Sequence, residues 1–168
     1  AATLLGRAEH DLPRQLLSFE QDRNYLKQTP QALASHGVNQ MVELVLAPLV
    51  PTRHSAQPAE EKPLFYDCEK HLERLARLFE NRHARILVVV DGPASPKNNP
   101  LIREPALGTV LQYLAAHHLD VVLDDSHRSG EQHVLKHWKE LCEQRGLSYQ
   151  AHDLDVVKGA TWLTVRPE

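Results

Sequence analysis

Only two cysteines occur in 168 residues, Cys68 and Cys142, and they stand far apart in helix-like stretches. A disulfide scaffold needs more of them, so two reduced thiols in or near packed helices are expected. Glycine is scarce at seven residues, and aromatic residues make up 5% of the chain. No apolar run approaches the ~20 residues that a membrane-spanning helix requires. The first seven residues lack a charged start followed by a long apolar stretch, so they do not read as a secretory signal. No basic stripe is present and the formal net charge is -3. A duplex nucleic-acid binder needs clustered Lys and Arg to meet phosphates, so nucleic acid is not an expected partner. The expectation left by these absences is a cytoplasmic chain without membrane or nucleic-acid association.

What is there fits one core. Apolar residues form 42% of the sequence, too many for a disordered segment, and the length suits a single domain over residues 1–168. Strand-like and helix-like segments alternate, which is the pattern of a parallel sheet covered by helices. Residues 15–19 read as a short strand ending in the acidic group Glu20, Gln21 and Asp22. A helix follows to His36, with Gly37 at its stop and either a kink at Thr29-Pro30 or a restart capped by Thr29 expected. Residues 42–46 are the next strand, 51–63 read as an irregular loop, and 66–82 have helical periodicity. Residues 86–90 form the most apolar strand, residues 105–118 a helix, and 120–123 another buried strand. A long helix is expected over 129–144, followed by strands at 147–151 and 161–165, the last at an edge or antiparallel.

Three of these strands end in acid: Glu20, Asp91, and Asp124 with Asp125. In an open parallel sheet, ligands bind outside the carboxyl ends of the strands. Carboxylates also make turns and cap helices there, and Asp125 or Ser126 could do so for the helix that follows. Glu20 is the most interpretable, because an acid at a strand end before a helix can accept two hydrogen bonds from the cis hydroxyls of a ribose. Arg103 and Arg128 lie close to the acidic strand ends and could either grip an anionic acceptor or neutralise a carboxylate. His127, beside the acidic pair, is the one histidine placed to act as an acid or base. His133 and His137 share a helix face without the glutamate of a zinc motif, so a polar face is expected. Trp138 and Trp162 read as packing residues.

The stretch 16–22, its helix to Gly37, and residues 42–49 resemble the second strand, helix and third strand of class I S-adenosylmethionine (SAM) methyltransferases. Residues 86–93 resemble strand four, 119–128 strand five, and the last two segments the paired strands six and seven. The resemblance implies a Rossmann-like, doubly wound, mostly parallel α/β sheet with helices on both faces. It implies SAM as cofactor, with Glu20 holding the ribose, Ala47 and Pro48 near the adenine, and Asp91 between cofactor and acceptor. With no basic surface, the acceptor is expected to be a small molecule. In the metal-dependent O-methyltransferases of the catechol type, an Asp after strand four and an Asp-Asn pair after strand five hold Mg²⁺. Asp91, Asp124 and Asp125 occupy those positions, with Asp125 replacing Asn.

The family's first strand ends in a glycine-rich turn, and nothing before Gln15 supplies one. Residues 1–8 look instead like the helix after that turn. Either the sequence given begins inside the domain or SAM binding has been lost, and the undamaged remainder favours the former. A sheet edge left open there predicts self-association. A non-catalytic methyltransferase-like binding module and another nucleotide- or nucleotide-sugar-binding enzyme are the alternative functions.

Overall fold

The computed structural model describes residues 16–37, 40, 42–58, 63–94 and 99–167. The chain divides into two compact units, Ala1–Leu49 and Val50–Glu168. The helix expected over residues 1–8 lies outside the described residues.

The first unit holds β1 (Leu16–Glu20), α1 (Arg23–Ser35) and β2 (Val42–Leu46). The strands pair in parallel, with Leu16 opposite Val42 and Glu20 opposite Leu46. Asp22 starts the helix: its Oδ1 accepts the N–H groups of Asn24 at 2.6 Å and Tyr25 at 3.3 Å. Of the kink or restart expected at Thr29-Pro30, the restart does not occur, and Pro30 sits inside a continuous helix. The Thr29 hydroxyl donates back to the Tyr25 carbonyl at 2.8 Å rather than capping a new helix. α1 buries none of its side chains, and Gly37 ends it at φ +68°.

The second unit opens on two short strands, β3 (Leu49–Pro51) and β4 (Leu64–Tyr66), which pair with each other. They flank the segment read from sequence as an unbroken loop. Then come α2 (Glu69–Leu78), β5 (Arg85–Val90), α3 (Pro105–Leu114), β6 (His118–Asp124), α4 (Ser129–Gln144), β7 (Ser148–Leu154) and β8 (Ala160–Arg166). The four-stranded sheet has the order β5-β6-β8-β7. β5 and β6 are parallel, and β8 runs antiparallel to both of its neighbours, as expected of the final strand.

Alternation along the strands builds the core. Leu119, Val121 and Leu123 of β6 and Leu163 and Val165 of β8 are sealed from solvent, together with Leu107, Leu114, Val134 and Trp138 of the helices. Each such side chain contributes about 1.5–3 kcal/mol relative to exposure. Asp120 breaks the apolar series of β6 and is satisfied there by Arg85 Nε at 2.5 Å, Trp162 Nε1 at 2.9 Å and the Thr164 hydroxyl at 3.2 Å. Burial pushes this carboxyl up, but those hydrogen bonds and the guanidinium charge outweigh it and leave its pKa below the ordinary value.

The architecture is thus mixed α/β, but one expectation needs correction. The described strands form three small sheets rather than one doubly wound sheet. Among the described residues β1 pairs only with β2 and β5 only with β6, so no described strand joins the two parallel pairs. Both cysteines are free and buried, as expected. No described helix is long and apolar enough to cross a membrane.

Candidate functional site

In the first unit, the ends of β1 and β2 bring Glu20 beside Ala47. The Ala47 N–H donates to the Glu20 carbonyl at 2.8 Å, extending the parallel ladder one residue past β2. Ala47 is fully buried there, whereas Pro48 is exposed. The Glu20 carboxylate accepts the Asp22 N–H at 2.8 Å through Oε1, and Oε2 has no hydrogen bond among the described residues. Among the described residues, one oxygen of this half-buried carboxylate therefore retains its accepting capacity. The proline ring and the buried alanine present no charge beside it.

In the second unit, the register of β5 against β6 sets the acidic ends side by side. Val90 lies opposite Leu123, so Asp91 and Asp124 leave the sheet as neighbours. Asp125 follows at φ +59°, a left-handed conformation that aspartate tolerates better than most residues. One carboxylate oxygen from each of Asp91, Asp124 and Asp125 lies within 4.8 Å of the others. The Asp91 side chain is 72% exposed and the Asp125 side chain 7%. The pKa of Asp91 is raised by partial burial, then by repulsion from Asp124 and a hydrogen bond with it, against the lowering charge of Arg103. Asp125 does not cap the next helix: the N-cap of α4 is Arg128, without a side-chain capping bond.

Cations close around this group. Arg103 is buried, and its guanidinium donates to three main-chain carbonyls: Asp91 at 2.6 Å, Pro93 at 3.1 Å and Asp124 at 3.2 Å. It also lies 3.5 Å from Glu131 and 3.8 Å from Asp125 and Asp91. Arg128 reaches Asp125 at 2.8 Å and Glu131 at 3.9 Å, and Lys158 stands 3.9 Å from Asp125. Arg103 therefore ties the ends of β5 and β6 to the first turn of α4, while Arg128 is half-exposed and turned partly outward.

His127 is exposed beside this network. Its N–H donates to the Lys158 carbonyl at 3.2 Å, and Ser126 N–H donates to the Gly159 carbonyl at 3.0 Å. Gly159 has φ +72°, and a Cβ there would come within 2.3 Å of the His127 ring. Only glycine lets the β7–β8 turn lie under the imidazole. Close approach recurs at Gly92, where a Cβ would meet the Tyr66 hydroxyl at 2.4 Å, one residue from Asp91.

The structure thus brings together Asp91, Asp124, Asp125, Arg103, Arg128 and His127 in the second unit, and Glu20, Ala47 and Pro48 in the first. Sequence reasoning missed Glu131 and Lys158. The i,i+3 spacing from Arg128 to Glu131 at a helix start was the available signal for Glu131. Lys158 enters through the antiparallel β7–β8 turn, which has no local signature. His133 makes only a local contact, its Nδ1 lying 2.7 Å from the Ser129 carbonyl.

No protein-family model matches the sequence, and no curated protein does. Among solved structures, the O-methyltransferase TomG from Streptomyces achromogenes, involved in tomaymycin synthesis and solved with SAM, is similar at a TM-score of 0.52 and 18% identity. That match covers 91% of this chain and 62% of the TomG chain. A candidate O-methyltransferase from Klebsiella pneumoniae matches at a TM-score of 0.49 and 17% identity, over 91% of this chain and 62% of that one. A candidate rRNA methylase from Clostridium thermocellum matches at 0.47 and 8% identity, over 90% and 72%. At 18% identity the likeness to TomG shows the fold alone, one shared with an O-methyltransferase solved with SAM.

Proposed function

We propose that this chain serves SAM-dependent methyl transfer to a small-molecule acceptor, with oxygen as the atom methylated. The observation that carries the proposal is Glu20: an acid ending a parallel strand, with one carboxylate oxygen unengaged among the described residues and Ala47 held against its carbonyl. That arrangement suits two ribose hydroxyls at the carboxylate and an adenine ring passing Ala47 and Pro48. Bound SAM would supply an activated methyl group on a sulfonium. The protein's part is to orient the acceptor in line and to accept its proton as the new oxygen–carbon bond forms and the carbon–sulfur bond breaks.

In the second unit, Asp91 and His127 are the proposed proton acceptors, because both are exposed beside the strand ends. Arg128, half-exposed, suits an anionic group on the acceptor. Arg103 was a candidate for the same role. Its commitment to three carbonyls makes it the residue that positions the strand ends around such an acceptor. A small acceptor is favoured by the weakly acidic net charge of -3. A cytoplasmic setting belongs to the same proposal, on the two unpaired thiols.

Isothermal titration of S-adenosylhomocysteine into the chain and into Glu20→Ala tests this reading. Binding that Glu20→Ala abolishes, with the melting curve unchanged, supports it. Absence of binding to a folded chain, or binding indifferent to Glu20→Ala, sinks the cofactor assignment. Adenosine nucleotides titrated in parallel separate the alternative of another nucleotide-binding enzyme.

A further inference from the structure

The cluster at the end of β5 and β6 carries a question of its own: whether three convergent carboxylates in this setting take up a divalent cation. Mg²⁺ demands near-octahedral oxygen coordination and strips its water reluctantly, so its protein ligands must be anionic and unengaged. Asp91, Asp124 and Asp125 meet the distance requirement, their oxygens lying within 4.8 Å of one another. Asp125 does not meet the second requirement. Asp125 Oδ2 is taken by Arg128 at 2.8 Å with Arg103 at 3.8 Å, and Lys158 stands 3.9 Å from Oδ1. Asp125 Oδ1 is buried without a hydrogen bond, so the lysine charge is its described compensation.

The cations differ in how they are held. Arg103 cannot swing aside, because its guanidinium is 4% exposed and fixed by three carbonyls. Arg128 and Lys158 are 50% and 73% exposed, on α4 and on the β7–β8 turn. Counting Glu131, four carboxyl groups gather beside three cations. We infer that Arg128 and Lys158 stand where a divalent cation would otherwise neutralise Asp125, so the native cluster is closed to Mg²⁺ and opens when those two side chains are removed. The three carboxylates are then a cation site in latent form, and no step at this site passes through a metal. The inference does not depend on methyl transfer, since cofactor binding is measured separately.

The test is titration of Mg²⁺ and Mn²⁺ into the full chain and into Arg128→Gln/Lys158→Gln, followed by calorimetry and by Mn²⁺ electron paramagnetic resonance. The native chain should show no saturable binding. The double variant should gain it, by roughly a factor of ten in affinity for each cation removed, and Asp124→Asn in that background should abolish it. Should the double variant unfold, Lys158→Gln alone alters only an exposed side chain and should show the smaller gain. Saturable Mn²⁺ binding to the native chain that Asp124→Asn removes would overturn the inference. So would a folded variant, double or single, that stays silent toward both metals.

Discussion

The β1–β2 pair ends in Glu20, whose carboxylate accepts one main-chain N–H and meets no cation among the described residues. The β5–β6 pair ends in Asp91, Asp124 and Asp125: Arg103 stands beside Asp91 and Asp125, and Arg128 and Lys158 beside Asp125. Both pairs are parallel, and both place acid at their carboxyl ends. One end keeps its electrostatic capacity for something outside the chain; the other has turned most of it inward to fix its own loops. Similar strand chemistry therefore supports recognition in one place and internal order in the other, and what decides between them is whether a buried guanidinium reaches the strand ends.

Removing that guanidinium should have the largest effect. Arg103→Met leaves Asp125 and Glu131 buried with fewer counter-charges, which should cost about 3–5 kcal/mol in urea denaturation. An unchanged stability would mean that the β5–β6 end is as open as the β1–β2 end, and the contrast would fail. Asp120→Asn should cost less, about 1–3 kcal/mol at neutral pH, through hydrogen bonds left half-made to Arg85, Trp162 and Thr164. Because the folded pKa of Asp120 lies below its unfolded value, its stabilising contribution is complete above the unfolded pKa of about 4 and is lost as pH falls through the folded one. Melting temperatures followed downward from pH 5 should therefore fall less steeply in Asp120→Asn than in the parent.

Gly159→Ala should cost about 1–2 kcal/mol for the left-handed backbone alone. It should also displace the His127 ring, visible as a change in its nuclear magnetic resonance chemical shifts. Glu20→Ala should be smallest, within about 0.5 kcal/mol of the parent, as for an ordinary surface change. A large destabilisation by Glu20→Ala would show that this carboxylate, too, serves the fold.

Much of this was readable from residue order. Apolar runs located β1, β2, β5 and β6 to within a residue or two. Yet β5, expected to be buried at the centre of a parallel sheet, stands at the end of the β5-β6-β8-β7 order. Leu87 and Val89 are exposed there, because the described strands cover only one of its sides. The adjacent acidic ends of β5 and β6 followed directly, since neighbouring parallel strands stop at one level. The short β3 and β4 were hidden, because three residues are too few for a period to show. The continuity of α1 through Pro30 was missed: Asp22 caps the helix start and the Thr29 hydroxyl bonds the Tyr25 carbonyl. Arg103 was the instructive case. Nothing in its neighbours tells whether a loop arginine faces solvent or three carbonyls, since that depends on Pro93 and Asp124 meeting it from other segments. Sheet continuity was equally beyond local pattern, because strand partners are chosen across long stretches of chain.

β8 follows every other strand of its sheet in the sequence, yet it lies between β6 and β7 and pairs along its length with both. Until it arrives, β6 has a bare hydrogen-bonding edge and β7 has no partner among the described strands. Folding of this unit is therefore gated by its tail: a chain growing from a ribosome holds a half-built, adhesive sheet until residues 160–166 are free to insert. Shortening the chain by that one strand would remove the keystone rather than trim an edge, and aggregation rather than a smaller domain should result.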